Sequence, residues 1–279
     1  GKLASLQPSS PIAQMRMAEI NLANKNKDEA TKNLRKALEI KPDLLEAQRG
    51  LILLALDGKK TQDAISLARD IQKQRPKEAT GFVLEGDINT SNKQWPEAVA
   101  AYRNGLKQVP APELAIKTHT ALLASGNTAE AEKLASTWTQ EHPKDIAFRM
   151  HLGDLATARK DFPSAIQHYR TALEIQPNNA LVFNNLAWVS GEMKLPKALE
   201  YAEKANQLAP NQPPFMDTMA MLLAGKGDTK KAIELLRKAL EISPQATAIQ
   251  LNLAKVLLSA GRKDEARKEL DALAKLGDK

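Results

Sequence analysis

A proline recurs at intervals of 33 or 34 residues along almost the whole chain. The series runs Pro8, Pro42, Pro76, Pro110, Pro143, Pro177, Pro210 and Pro244. An alanine stands twelve residues before each proline of this series from Pro42 onward, and Ala266 continues that second series. The members of the alanine series are Ala30, Ala64, Ala98, Ala131, Ala165, Ala198, Ala232 and Ala266. Two series that stay in register over 279 residues indicate stacked copies of one supersecondary unit.

The segment 147–177 reads as two amphipathic helices joined by a tight turn, because large and small apolar residues alternate in it at helical spacing. A proline cannot continue a helix and disfavours the helical conformation of its predecessor, so Pro177 marks the end of the unit. We therefore expect a first and a second helix in each repeat. The expected first helices span approximately 11–24, 45–57, 79–91, 113–125, 146–159, 180–192, 213–226 and 247–260.

The segment 147–177 resembles the 34-residue pattern of the tetratricopeptide (TPR) family. The residues that carry the resemblance are Leu152, Gly153, Ala165, Tyr169, Ala172 and Pro177. It implies an all-α, right-handed solenoid of about eight helix-turn-helix repeats in one extended domain. The expected repeats span approximately 11–44, 45–78, 79–112, 113–145, 146–179, 180–212, 213–246 and 247–279, and residues 1–10 are interpreted as the remnant of a preceding repeat.

Small residues in the first helices are expected to face the alanine series, since a small pair lets two helices approach closely. These facing positions are Ala18, Ile52, Gly86, His119, Gly153, Ala187, Ala220 and Ala254. Ile52 and His119 are larger than the others, and extra volume at such a contact costs about 1–3 kcal/mol. The second and fourth repeats are therefore predicted to have looser or shifted helix pairs.

No residue pattern points to catalysis, to a metal or to a cofactor. The chain has no Cys, its four His residues lack the i, i+4 spacing of a helical metal site, and it has no G-x-S-x-G or Gly-rich phosphate loop. The net charge of +7 arises from 40 basic and 33 acidic residues that are interleaved, which favours a solvated surface over a nucleic-acid site. We expect a protein that is not an enzyme, with no cofactor, no nucleic-acid partner and no membrane contact from this segment.

The TPR resemblance further implies a concave groove that takes an extended or helical peptide, lined by the second, fifth, ninth and twelfth residues of each repeat. The residues expected to bind a partner there are Glu46, Arg49, Asp87, Glu113, Met150, Asp154, Asn184, Trp188, Asp217, Met221 and Lys255. Acids outnumber bases at these positions, so the partner is expected to be basic or apolar. Trp188 either anchors that partner or packs between helices.

Residues 180–279 resemble a narrower group, the C-terminal part of the bacterial TPR lipoproteins associated with the PEP-CTERM/exosortase sorting system and with exopolysaccharide production. The phrases that carry this resemblance include residues 184–188, 197–204 and 253–256. It implies a scaffold for export or sorting components, in the periplasm or attached to the outer membrane by a lipid anchor. The alternatives are a cytoplasmic TPR adaptor or co-chaperone, and the accessory arm of a larger enzyme.

Overall fold

The computed structural model describes residues 10–277, and throughout this range the regular structure is α-helical. The predicted remnant at residues 1–10 lies outside the described part of the chain except for Ser10, whose hydroxyl oxygen caps the first helix. The helices are α1 (Pro11–Ala23), α2 (Lys27–Ile40), α3 (Leu45–Asp57), α4 (Thr61–Gln74), α5 (Thr80–Ser91), α6 (Trp95–Gln108), α7 (Pro112–Ala124), α8 (Thr128–Glu141), α9 (Ile146–Ala158), α10 (Phe162–Ile175), α11 (Ala180–Glu192), α12 (Ala198–Leu208), α13 (Pro213–Gly225), α14 (Thr229–Ile242), α15 (Thr247–Ser259) and α16 (Lys263–Gly277).

Odd-numbered helices are the first helices of the repeats and even-numbered helices are the second. All eight first helices begin and end within one residue of the predicted bounds. The chain divides into two compact units at the closing proline of the fourth repeat: unit 1 ends at Pro143 and unit 2 begins at Lys144. Each unit is a stack of four helix pairs, which confirms the all-α solenoid fold. Between residues 10 and 277, no helix is both long enough and apolar enough to span a bilayer.

The core of each unit follows the alanine series. All eight of these alanines are buried, and all eight facing positions on the first helices are buried as well. Apolar clusters run from one helix pair into the next: Ile249 and Leu253 of α15, for example, pack with Leu236 of α14. Burial between neighbouring repeats thus takes the place of a single central core.

Tyrosine rings pack against two of the facing glycines, Gly86 and Gly153. The sequence analysis had expected an alanine of the second helix to make this contact. A Cβ built on Gly86 would lie 2.0 Å from Tyr102 Cε1, and one on Gly153 would lie 2.5 Å from Tyr169 Cε1. Both distances are shorter than any real carbon contact. In the third and fifth repeats, glycine is therefore required by a buried aromatic ring of the second helix.

The predicted looseness of the second and fourth repeats is confirmed. Among the eight helix pairs, α7–α8 has the sparsest backbone contact, followed by α3–α4, with α15–α16 only slightly closer than the latter. Ile52 and His119 are both buried at these contacts, where the other repeats carry glycine or alanine. The extra volume of these side chains agrees with the sparser backbone contact.

One residue in the left-handed region ends each of the eight first helices. These residues are Lys25, Lys59, Lys93, Gly126, Lys160, Lys194, Gly227 and Gly261. The residue that follows donates its N–H to the carbonyl five residues earlier, as Asp161 does to Ala156 at 2.9 Å, which is the Schellman termination of a helix. Lysine occupies this conformation in five of the eight turns, although glycine adopts it at least cost.

Candidate functional site

Exposed apolar side chains concentrate at the groove positions that the sequence predicts. In the described residues twelve large apolar side chains are exposed, and seven of them stand at the second, fifth, ninth or twelfth position of a first helix. Those seven are Ile12, Leu22, Leu53, Leu181, Trp188, Leu251 and Leu258. We call the surface made by these four positions of the first helices within one unit the first-helix face of that unit.

The first-helix face of unit 1 carries five charged side chains, namely Glu19 and four of the residues predicted to bind a partner. Glu46, Arg49 and Glu113 are exposed. Asp87 is half-buried: it accepts a hydrogen bond of 2.6 Å from the Tyr102 hydroxyl and forms an ion pair of 2.8 Å with Lys117 Nζ. Lys117 lies one residue beyond a predicted groove position and was missed by the sequence analysis. Its charge offsets that of Asp87, so this part of the face is less acidic than predicted.

Asp154 in unit 2 has a hydroxyl partner of the same kind. Its carboxylate accepts hydrogen bonds from the Tyr169 hydroxyl at 2.7 Å and from Asn185 Nδ2 at 3.2 Å. Tyr169 also hydrogen-bonds to Thr157 at 3.1 Å, just as Tyr102 does to Thr90 at 3.2 Å in unit 1. Two of the predicted groove acids therefore hold a buried tyrosine in place.

Asp217 is a partly buried acid held by the neighbouring first helix. Both of its carboxylate oxygens lie 3.0 Å from Asn252 Nδ2, and Lys255 of the same helix is exposed nearby. Burial raises the pKa of Asp217, while Asn252 and Lys255 act in the opposite direction. The predicted groove residues Asp217 and Lys255 thus meet at one place, through an asparagine that the sequence analysis did not single out.

Trp188 is exposed and at the same time packed, so neither sequence-based alternative describes it alone. Its side chain is 43% exposed on α11, and its ring lies edge-to-face on Phe162 with the ring centroids 5.9 Å apart. Such aromatic pairs contribute about 0.5–1.5 kcal/mol beyond the area that they bury. Phe162 itself packs against an apolar cluster of unit 2, which fixes the position of the tryptophan.

The remaining predicted residues are less accessible than expected. Met150 and Met221 are half-buried and pack against the two apolar clusters of unit 2. Asn184 is only 9% exposed, and its Oδ1 is buried with no hydrogen-bond partner in the described residues. The TPR resemblance predicted its place among the groove positions, whereas its burial depends on neighbouring side chains.

The described part of the chain contains no group of three or more His, Asp or Glu side chains that could hold a metal ion. His151 and His168 are half-buried, and burial lowers the pKa of both imidazoles. What the two first-helix faces offer chemically is an apolar surface with a few fixed hydrogen-bonding groups.

Three protein-family models, each described as a tetratricopeptide repeat, match residues 12–44, 120–180 and 223–279. Among curated proteins, the chain is 26% identical over 256 residues to Tetratricopeptide repeat protein 21A of Mus musculus, which covers 80% of this chain and 19% of that protein. It is 26% identical over 160 residues to Protein O-mannosyl-transferase TMTC1 of Mus musculus, covering 56% of this chain and 17% of that protein. The chain therefore spans about a fifth of the length of these relatives.

Solved structures with a similar fold include MamA 41-end from Desulfovibrio magneticus RS-1. The TM-score is 0.52 at 18% sequence identity, and the superposition covers 60% of this chain and 94% of the other. At this identity the likeness supports the fold alone.

Proposed function

Because the chain is a tetratricopeptide repeat protein, we propose that it is a non-catalytic scaffold that binds an apolar or basic segment of another protein on its first-helix faces. The observation that carries this proposal is the placement of seven exposed large apolar side chains at the positions that form the peptide groove in the family. An exposed apolar surface of this kind is typical of protein-interaction sites.

The distribution of charge in unit 2 supports the same proposal. Its four first helices carry five charged side chains, whereas α16 alone carries eight. The five are Arg149, Asp154, Glu192, Asp217 and Lys255. Water solvates the second helices well, while the first-helix face is left with apolar area that a partner can cover at a gain of roughly 25 cal/mol per Å².

A peptide selection with a matched pair of variants tests the proposal. Random twelve-residue peptides are selected on the immobilised chain, and the affinity of the best ones is measured by fluorescence anisotropy for the unaltered chain, Leu251→Lys and Ile242→Lys. Leu251 on α15 is 41% exposed and Ile242 on the second helix α14 is 45% exposed. The two substitutions therefore replace an apolar side chain by lysine at positions of similar exposure.

We expect Leu251→Lys to weaken binding at least about tenfold and Ile242→Lys to leave it unchanged, since only the first is on the proposed face. If no peptide is selected, or if the two variants weaken binding equally, the first-helix face is not the binding surface.

The cellular system is a separate proposal, supported by the resemblance of residues 180–279 to the PEP-CTERM/exosortase-associated lipoproteins. On this proposal the scaffold organises exopolysaccharide or sorting components in the periplasm or at the outer membrane. The alternatives are a cytoplasmic adaptor or co-chaperone and the accessory arm of a larger enzyme.

Fractionation of the native host and labelling of the full gene product with a fatty acid test the envelope proposal. An unlabelled product confined to the cytosol would exclude the envelope role.

A further inference from the structure

The turns inside the repeats carry the excess positive charge of this chain. These turns are the residues between the first and the second helix of each repeat, and they contain ten basic and two acidic residues. Their net charge is therefore +8, whereas the helices together sum to −3 and the loops between repeats to +1. The ten basic residues are Lys25, Lys59, Lys60, Lys93, Arg159, Lys160, Lys194, Lys197, Lys226 and Arg262. Bases and acids that are interleaved along the sequence are thus separated in space.

In each unit these turns lie along one edge. Short connections join neighbouring helices in antiparallel order, so the turns within repeats gather at one end of the helix pairs and the loops between repeats at the other. Lys27 Nζ at the start of α2 lies 2.6 Å from Asp57 Oδ2 at the end of α3, which places the first two turns side by side. A first helix of 13 residues separates the two edges by about 20 Å. We call the row of turns in one unit its turn edge.

The basic side chains of the turn edges are accessible. All ten are exposed, and within residues 10–277 only Arg262 of them forms an ion pair, with Glu265 at 2.6 Å. The turn edge of unit 1 has four bases and no acid, and that of unit 2 has six bases and two acids, so each has a net charge of +4. An accumulation of unpaired charge of one sign attracts a partner of the opposite sign.

Lysine occupies strained backbone positions on both turn edges. Five of the basic residues have a positive φ, between 53° and 60°. They are Lys25, Lys59, Lys93, Lys160 and Lys194. Glycine adopts this conformation at lower cost and does so in the other three turns. A basic side chain is therefore present at these five positions despite a conformational cost, which favours a role for its charge.

The side chains of the turn edges suit a lipid surface better than a nucleic acid. Eight of the ten bases are lysines, whose flexible, hydrated point charges need no fixed partner geometry, whereas planar arginine forks are typical of nucleic-acid sites. The turns contain no aromatic residue on which a base could stack. Instead Met193, beside Lys194, is an apolar side chain that is 39% exposed. Electrostatic attraction to anionic lipids together with apolar contact is how proteins bind a bilayer surface.

We propose that the turn edges dock on an anionic lipid bilayer, with the lysines among the phosphate headgroups and Met193 at their boundary with the acyl chains. The turn edges use residues distinct from those of the first-helix faces, which stay open to the proposed protein partner. The inference goes beyond that proposed function, because it gives the scaffold a means of holding its partner at a membrane. It replaces the sequence-based expectation of no membrane contact from this segment.

Vesicle binding by two matched variants tests the proposal. In the turn variant the five lysines with positive φ are replaced by glycine, which fits the same backbone conformation. In the control variant glutamine replaces five exposed second-helix lysines that form no ion pair in the described part of the chain. These are Lys36, Lys107, Lys133, Lys204 and Lys238. Each variant loses three charges from unit 1 and two from unit 2, so the net charge falls equally.

Binding to vesicles of phosphatidylcholine mixed with phosphatidylglycerol is measured by co-sedimentation. We expect the unaltered chain to bind these vesicles and not phosphatidylcholine alone, and to be released as NaCl rises from about 0.05 to 0.5 M. The turn variant should bind at least about thirtyfold more weakly, since each base near an anionic surface contributes about fivefold, and the control variant should lose less than about threefold. Circular dichroism and thermal unfolding verify that both variants keep the fold.

A dye at residue 193 tests the contact without relying on the turn variant. The chain has no Cys, so Met193→Cys and Ile242→Cys each provide one site for an environment-sensitive fluorophore. Ile242 on the second helix α14 has a similar exposure of 45% and is the control. We expect the emission to shift to shorter wavelength on anionic vesicles from residue 193 alone.

Several outcomes would overturn the docking of the turn edges: no binding to the anionic vesicles, an equal loss in the two variants, or no shift of the dye at residue 193. Binding of a short DNA duplex through the same five lysines in place of vesicles would also overturn it and identify a nucleic-acid site. None of these results bears on the proposed function, which the peptide selection tests by itself. Peptide affinity should be the same for the turn variant and the unaltered chain.

Discussion

Gly153 shows how one absent methyl group determines the approach of two helices. The Tyr169 ring occupies the place of its missing Cβ, and the Tyr169 hydroxyl then reaches Asp154, the next residue on the first helix. Gly86, Asp87 and Tyr102 repeat this arrangement in unit 1. Glycine, acid and tyrosine therefore work together: the glycine admits the ring and the acid binds its hydroxyl.

We predict that Gly153→Ala destabilises the protein by about 1–3 kcal/mol, because the new methyl group overpacks against a buried ring. Gly225→Ala is the control, since a Cβ at Gly225 meets no atom within 4 Å and alanine is the better helix former. Urea unfolding followed by circular dichroism measures both. An equal effect of the two substitutions would show that contact with Tyr169 is not the cause.

The two buried tyrosines predict a loss of stability at alkaline pH. Burial raises the pKa of Tyr102 and Tyr169 above the ordinary value of about 10, and the hydrogen bond to an aspartate raises each of them further. The unfolded chain releases these protons from about pH 10 while the folded chain retains them, so the free energy of unfolding falls as the pH rises above that value.

Absorbance of tyrosinate and urea unfolding between pH 9 and 11.5 test this prediction. The double variant Tyr102→Phe/Tyr169→Phe lacks both groups and should lose less stability over this range than the unaltered chain. If the tyrosinate absorbance shows that all three tyrosines titrate near the ordinary pKa of about 10, burial does not raise the pKa of Tyr102 and Tyr169.

The resemblance to TPR proteins predicted the four first-helix positions at which exposed apolar side chains concentrate, and these positions share one side of a helix that repeats every 3.6 residues. It did not predict Lys117, Asn185 or Asn252, which reach the groove acids from one position outside the predicted set. Those contacts depend on the lateral offset between successive first helices. That offset is set by packing, which no spacing within one helix reveals.

At the scale of the element, the turn inside each repeat combines a fixed hydrogen-bond pattern with a variable residue. Lys160 and Gly227 occupy equivalent left-handed positions, with φ of 60° and 89°. The left-handed backbone of a residue that carries a Cβ is strained by about 1–2 kcal/mol. Glycine avoids this strain but loses more conformational entropy when the chain folds.

We therefore predict that Gly227→Ala lowers the free energy of unfolding by about 1 kcal/mol, whereas Lys160→Gly raises it slightly or leaves it unchanged. No atom lies within 4 Å of a Cβ on Gly227, so its substitution tests backbone strain without steric overlap. Chemical denaturation of the two single variants measures the difference. If Lys160→Gly is as damaging as Gly227→Ala, strain in the turn is not what distinguishes them.

The loose fourth pair predicts uneven dynamics within unit 1. Helices α7 and α8 have sparser backbone contact than α5 and α6, so less packing opposes their local opening. We expect amide hydrogens in the middle of α8 to exchange faster than those in the middle of α6, as measured by hydrogen–deuterium exchange with mass spectrometry. Equal protection in the two helices would contradict a packing effect of His119.

The helices themselves were predictable because prolines and turn residues mark their ends in each repeat. Of the packing within the pairs, only the looser second and fourth repeats were predicted, from the size of Ile52 and His119. The sequence analysis expected alanines to contact Gly86 and Gly153 and did not predict the Tyr102 and Tyr169 rings there. A repeating pattern shows which side of a helix a residue occupies, but not which atoms of the neighbouring helix it contacts.

At the scale of the whole molecule, each unit contains its own apolar clusters. Both clusters of unit 2 are built from residues between Ile146 and Ala266, and its exposed groove residues Leu181, Trp188 and Leu251 lie in the same unit. Because a solenoid is stabilised by contacts between neighbouring repeats, four complete repeats are enough to form a stable stack. The unit should therefore carry both a fold and a binding face.

We predict that residues 144–279 expressed alone are helical and unfold cooperatively, and that they bind the selected peptides with an affinity within about threefold of the full chain. A fragment that begins at residue 163 is the matched control: it lacks α9 and Phe162, against which Trp188 packs, and should bind at least about tenfold more weakly. Circular dichroism, thermal unfolding and anisotropy measure these properties.

Loss of binding in a folded fragment 144–279 would show that the peptide site needs unit 1 as well. Equal binding by the two fragments would show that the Phe162–Trp188 pair does not contribute to the site.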